Sequence, residues 1–195
     1  YYAKQDAEKL SGKGDTSQKL TLMKTSADSL KKSADALNDS SLWEKKKIKK
    51  KDEKTGEEIA VEDYDWDKIT KAVKSFVEDY NDVVKEAGES NTKDVLRNAS
   101  WMTGMTDKNS NMLAKIGITI GKGNKLELDE DALKQADISS LKTVFTGYNS
   151  FVSKISQKAT GISNAANRAS ATYTNNGTYS KTDSSLTSSK IDKEV

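Results

Sequence analysis

The residues of this chain that could do chemistry are hydroxyls, lysines and carboxylates, because its 195 residues include no histidine and no cysteine. That composition excludes thiol nucleophiles, disulfides, imidazole or thiolate metal ligands and histidine-based acid–base catalysis. The hydroxyls are not set in a strand-turn-helix or Ser-x-x-Lys context, and Ser29 and Ser33 lie beside lysines on a predicted helix face. We therefore predict no enzyme activity, no catalytic, cofactor-binding or metal-binding residues, no cofactor and no small-molecule substrate.

Three aspartates alternate in the way that opens an EF-hand calcium loop: Asp63, Asp65 and Asp67. Such a loop requires glycine where Lys68 stands and a bidentate glutamate where Lys74 stands. The alternative interpretation is that the acidic residues start a helix near Trp66, with Asp65 or Asp67 as its N-cap. We favour the cap.

Glycines and a lysine near residue 120 are similar to a phosphate-binding loop, but their spacing is one residue short and no Ser or Thr follows the lysine. A β-hairpin over about residues 116–128 accounts for them better, because alternating aliphatic residues flank a Gly/Asn turn. Asp129 then stands where a helix N-cap belongs. The residues of this pattern are Ile116, Gly117, Ile118, Ile120, Gly121, Lys122, Gly123, Asn124, Leu126 and Leu128.

Six lysines surround Ile48 between residues 45 and 51, and five carboxylates follow between residues 57 and 65. Facing strands would place opposite charges across a second, exposed hairpin over about residues 43–62, although a loose solvated loop is the alternative. The lysines could bind anionic lipid or nucleic acid, but the carboxylates beside them and a net charge of +2 argue against either partner. No apolar run has membrane-spanning length.

Apolar residues at spacings of three and four predict three long helices. The first seam is Leu20, Met23, Ala27, Leu30, Ala34 and Leu37; the second is Ile69, Val73, Phe76, Tyr80, Val83 and Ala87, ended by Gly88 at C′; the third is Tyr148, Phe151 or Val152, Ile155, Ala159, Ile162, Ala166, Ala169 and Tyr173, interrupted by Gly161. Shorter helices are expected over 92–102 and 106–115, with Trp101 and Met102 closing one end of the bundle.

The overall composition favours a bundle with narrow apolar seams, because only 34% of residues are hydrophobic, 32% are charged and none is proline. We predict a mainly α fold, an elongated antiparallel helical bundle or coiled coil with the small hairpins described above. Residues 1–173 are expected to form one helical leg domain, and the polar residues 174–195 a flexible tail.

Several of these segments resemble one known family when they are read together. The stretch from Phe76 to Asn81 reads FVEDYN, and IGIT, a Gly/Asn turn, LELDEDAL and VFTG follow in order. This order resembles the carboxy-terminal half of the flagellar hook-associated protein 2 family, the filament cap. The helix from Leu20 to Trp43 is similar to the amino-proximal helix of that family. In this chain, the core that links the hairpin to the bundle is expected to include Phe76, Tyr80, Ile116, Ile118, Leu126, Leu128 and Phe145.

The resemblance implies an exported, extracellular component of the bacterial flagellum that has no cleavable signal peptide. It implies a ring of identical copies at the filament tip, with flagellin as the partner, and a helical leg that helps flagellin subunits fold into place. The family inserts large β-rich head domains between its first two helices, whereas this chain has a short connection there. Because the chain begins at Tyr1 without a Met, we expect a processed fragment or a piece of a longer protein.

Two other functions fit the same residues. The chain could be an extracellular adhesin or binding module on a flagellar-type helical stalk, which the missing head would favour. It could also be a flagellin-like filament subunit, which would polymerise by itself. No residue on the helices is diagnostic of one of these roles.

Overall fold

The computed structural model of this chain describes residues 14–52 and 54–172. These residues are mainly α-helical, with two small antiparallel sheets, which confirms the predicted fold class. Tyr173 and the predicted tail 174–195 lie outside the described residues. The α-helices are α1 (Ser17–Asn38), α2 (Trp66–Gly88), α3 (Lys93–Lys108), α4 (Ser110–Ala114), α5 (Glu130–Gln135), α6 (Ile138–Phe145) and α7 (Phe151–Thr172). The strands are β1 (Lys46–Lys51), β2 (Glu58–Asp63), β3 (Ile118–Ile120) and β4 (Leu126–Leu128).

The four long helices α1, α2, α3 and α7 form a bundle in which neighbouring helices run antiparallel. The start of α1 meets the end of α2, where the Lys19 ammonium donates to the carbonyl of Glu89. Asp28 of α1 meets Ser163 of α7, so these two helices also run in opposite directions. Helix α3 packs against both α2 and α7 and completes the bundle. Each helix thereby covers the apolar seam of its neighbours.

The predicted seams of α1 and α2 are confirmed at every position, and all twelve of their residues are buried. Capping also follows the sequence, because the Asp65 carboxylate accepts from the N–H of Lys68 at 3.1 Å. The prediction for Gly88 is wrong. It is the last residue of α2 rather than C′, and its φ is not positive. The N–H of the following Glu89 donates to the carbonyl of Glu86 at 3.3 Å, and the N–H of Ser90 donates to the carbonyl of Ala87 at 3.1 Å, which closes the helix.

The predicted break between residues 102 and 106 is wrong, because α3 continues to Lys108. Apolar or small residues keep the helical spacing across that region, where Met102, Met105 and Thr106 are all buried. The helix ends at Asn109, whose side-chain amide donates to the carbonyl of Met105 at 2.8 Å. Trp101 does not close the bundle, since it is 48% exposed.

Helix α7 carries the third seam but begins later than predicted. Tyr148 is 81% exposed and lies before the helix, in a turn where Gly147 has φ +97°. Ser150 then caps the helix by accepting from the N–H of Ser153 at 3.1 Å. Gly161 does not interrupt α7. A Cβ there would stand 2.6 Å from the side-chain oxygen of Asn98, so glycine allows α3 to approach closely.

Both predicted hairpins form, with shifted bounds. Strand β3 begins at Ile118 and pairs with β4 in the register Ile118 to Leu128, while Ile116 is buried just before the strand. Leu128 is only partly buried, so it packs against the edge of the core rather than inside it. Strands β1 and β2 pair from Lys46 with Asp63 to Lys51 with Glu58, which rules out the loose loop. The second hairpin therefore starts at Lys46 rather than at about residue 43.

Residues 40–43 form a 3₁₀ turn that seals the end of the bundle. The Trp43 ring is 1% exposed and stacks on Phe145 of α6, with ring centroids 5.4 Å apart and planes 9° from parallel. Its indole N–H donates to the carbonyl of Leu37 at 2.8 Å. The stack fixes where the chain leaves α1 and enters β1.

Candidate functional site

Two of the three aspartates in the pattern similar to a calcium loop have structural roles. Asp65 is the cap of α2, and the Asp63 carboxylate accepts from Lys50 and from the N–H of Tyr64, which together hold the pKa of Asp63 below its usual value. No group of three or more carboxylates in residues 14–52 and 54–172 is placed to hold a metal ion.

Gly117 belongs to the hairpin and makes a close backbone approach. Its φ is +80°, and a Cβ at this position would lie 2.6 Å from the carbonyl oxygen of Asp129. The Gly117 carbonyl accepts from the N–H of Asp129 at 2.8 Å, and the Asp129 carboxylate caps α5. The glycine therefore holds the end of β4 and the start of α5 against the entry to β3.

The FVEDYN stretch builds the joint between the helical bundle and this hairpin. Asn81 of α2 contacts Leu126 like an additional strand partner: its Nδ2 donates to the Leu126 carbonyl at 2.9 Å, and its Oδ1 accepts from the Leu126 N–H at 2.7 Å. Nearby, Lys74 pairs with Glu130 of α5 at 3.2 Å. The sequence pattern of this stretch resembles the family but does not reveal the contact of Asn81 with Leu126.

The aromatic residues of the same stretch fill the core. Phe76 and Tyr80 are both fully buried, and Phe76 meets Phe151 of α7 edge to face with ring centroids 6.3 Å apart. The Tyr80 hydroxyl donates to Thr106 Oγ1 at 2.9 Å, and Thr106 donates onward to the carbonyl of Met102 at 2.9 Å. Burial raises the pKa of Tyr80 to about 12, against the opposing hydrogen bond of Thr106. The phenol is thus a neutral packing group.

Asp15 forms a clasp at the end of the bundle that lies away from Trp43. Its side chain is fully buried and accepts from the Ser90 hydroxyl at 2.8 Å, the N–H groups of Asn91 and Thr92 at 2.9 Å, and the Thr92 hydroxyl at 2.7 Å. Lys19 lies 3.5 Å away. Burial alone would raise the pKa of Asp15, but these hydrogen bonds and the charge of Lys19 outweigh it and lower the pKa. No pattern in the sequence indicated this clasp.

A polar ladder repeats along the contact between α1 and α7. The Asp28 carboxylate accepts from the Ser163 hydroxyl at 2.6 Å, and Asp35, one heptad later, accepts from the Ser156 hydroxyl at 2.7 Å. Lys24 and Lys31 pair with these same carboxylates from the preceding turn of α1. Heptad spacing in both helices could have revealed the ladder, because antiparallel helices bring residues seven apart on each into register.

Among the described residues, a groove and a hairpin are exposed to a partner. One is a shallow groove between α1 and α2, lined by Ser29, Ser33, Lys71 and Asp79 among others. Partial burial, together with the charges of Asp82 and Glu78, raises the pKa of Asp79 despite a hydrogen bond from Ser33. The other surface is the β1–β2 ribbon, defined as strands β1 and β2. Its residues are mostly exposed, including Ile59 at 41%.

None of the helices in the described ranges combines the length and hydrophobicity that a membrane crossing requires. A family model described as flagellar hook-associated protein 2 C-terminus matches residues 90–194, more than half of the chain. The match includes α3 to α7 and the hairpin joined to Asn81. Comparisons with curated proteins and with solved structures find no match.

Proposed function

This chain belongs to the flagellar hook-associated protein 2 family, and on that premise we propose that it is a structural assembly protein, not an enzyme, at the tip of a bacterial flagellar filament. In this role it lies outside the cell, acts as a ring of copies and helps flagellin subunits fold into place. The match over residues 90–194 is the observation that carries the proposal.

The arrangement of polar groups supports a mechanical role. Three of the polar contacts described above join one element to another: Asp15 to the α2–α3 junction, Asn81 to β4, and Asp28 to α7. Polar side chains that are hydrogen-bonded in this way stiffen a scaffold. A stiff leg suits a protein that must hold its place while subunits are added beside it.

Deleting the full-length gene in its source bacterium tests the proposal. We expect unpolymerised flagellin in the medium and short or missing filaments, with both defects reversed by restoring the gene. Normal filaments with altered attachment to surfaces would instead support the adhesin. Filaments that the purified chain forms by itself would support a flagellin-like subunit.

A further inference from the structure

The two strands of the ribbon carry opposite charge. Strand β1 reads KKIKKK and strand β2 reads EIAVED, so one outer edge is basic and the other acidic. In the described residues no third strand pairs with either edge. Unpaired strand edges are ready to bind another strand, and an isolated two-stranded ribbon gains stability when strands are added.

The hydrogen-bonding groups that face outward can be assigned from the register. The N–H of Asp52 donates to the carbonyl of Glu57 at 2.9 Å, so the backbone N–H and carbonyl of residue 52 point toward the partner strand. In an antiparallel pair, every second residue along β1 directs its backbone groups the same way. Lys47, Lys49 and Lys51 therefore point their backbone groups to the free edge of β1. Their partners Glu62, Ala60 and Glu58 do the same at the free edge of β2.

Charge selects among the possible pairings. Adding β1 of one copy to β1 of another would place lysines beside lysines, and adding β2 to β2 would place carboxylates beside carboxylates, both of which are unfavourable. Adding β2 of one copy to β1 of the next pairs carboxylates with lysines and continues the antiparallel order. Within one ribbon such pairs already occur, since Lys49 lies 3.3 Å from Glu58.

We propose that the β1–β2 ribbon joins copies of this chain head to tail, with β2 of one copy adding to β1 of the next. Such a heterologous contact closes into a ring or continues as a filament. The inference deepens the proposed function, on which it rests for the ring of copies at the filament tip. It gives the short connection between α1 and α2 a role of its own.

A proline at residue 60 tests the contact at the backbone. Ala60→Pro removes an outward N–H and leaves the hydrogen bonds inside the ribbon intact, because proline is tolerated on edge strands. Ala60→Thr is the matched control, since threonine keeps the N–H and favours strands. Sedimentation velocity of the full chain should show parent and Ala60→Thr self-associating, and Ala60→Pro weaker by about tenfold or more.

Salt provides a second readout. Self-association of the parent should weaken between about 0.05 M and about 0.5 M salt, since exposed charges are screened. Circular dichroism should show the same helix content in all three proteins, because the ribbon lies outside the core. A parent that stays monomeric, or an Ala60→Pro chain that associates as tightly as Ala60→Thr, overturns the inference.

The flagellin measurement separates this inference from the proposed function. Flagellin lost to the medium on gene deletion, combined with association that ignores Ala60→Pro, would keep the function and reject the ribbon contact. Unchanged filaments on gene deletion, combined with association that Ala60→Pro weakens, would reject the proposed function and keep the ribbon contact.

Discussion

At the scale of single residues, buried polar contacts explain why a few side chains matter more than the apolar seams suggest. Asn81 uses both ends of its amide on the backbone of Leu126. Asp15 collects four different donors in a buried clasp. Both residues were invisible as contacts in the sequence, because their partners lie 45 and 75–77 positions away. Periodicity identifies residues on one helix face but not the distant group that a polar side chain meets.

Replacing Asn81 with alanine should lower the free energy of unfolding by about 1–2 kcal/mol, because the N–H and carbonyl of Leu126 lose their partners. Asn111, exposed on α4, is the matched control, and its change to alanine should stay within about 0.5 kcal/mol. Urea unfolding followed by circular dichroism measures both. Equal effects at the two positions would show that the joint to the hairpin does not depend on Asn81.

The clasp predicts a pH dependence. The folded-state pKa of Asp15 is lowered, so its contribution to stability is present above the usual aspartate value and is lost as pH falls through the folded pKa. Asp15→Asn should therefore be less stable than the parent at neutral pH, and the gap should narrow as pH falls below about 4. Unfolding in urea at several pH values measures this gap. Exposed Asp107→Asn is the control, and a gap for Asp15→Asn that stays constant with pH would contradict the account.

At the scale of elements, the helices with continuous seams were predicted well and their ends less well. Every predicted seam residue of α1 and α2 is buried. Apolar residues at spacings of three and four form one face of a helix, and that face can be identified from the sequence. The ends of the helices depend on local hydrogen bonds. At the end of α3 the side-chain amide of Asn109 donates to the carbonyl of Met105, and the turn before α7 leaves Tyr148 in solvent.

Two glycines, Gly117 in the turn before β3 and Gly104 inside α3, offer a matched pair. Gly117→Ala should cost more than about 2 kcal/mol, since φ is +80° and the new Cβ would stand 2.6 Å from a backbone oxygen. Gly104→Ala, inside α3 with nothing within 4 Å, should instead stabilise the chain by up to about 1 kcal/mol. Thermal unfolding of both variants checks the opposite signs. A tolerated Gly117→Ala would mean that the start of α5 can move away from the hairpin.

At the scale of the whole molecule, the bundle in the described residues carries two hairpins that differ in how they are packed. The β3–β4 hairpin is clamped to α2 through Asn81, whereas the β1–β2 ribbon stands exposed with charged edges. The sequence predicted both hairpins and the helical class, because alternation and turn residues are local signals. It did not predict how α1, α2, α3 and α7 surround one another, since that depends on contacts between distant residues. The division at residue 173 and the roles of flagellin and of other copies stay predictions.

The position of this chain on the flagellum tests most directly the proposal that it acts at the filament tip. Antibodies against this chain, detected with gold particles by electron microscopy on intact cells of the source bacterium, should label the distal tip of each filament. Cells that lack the gene are the control. Gold along the whole filament, or spread over the cell surface with bare tips, would contradict a role at the tip.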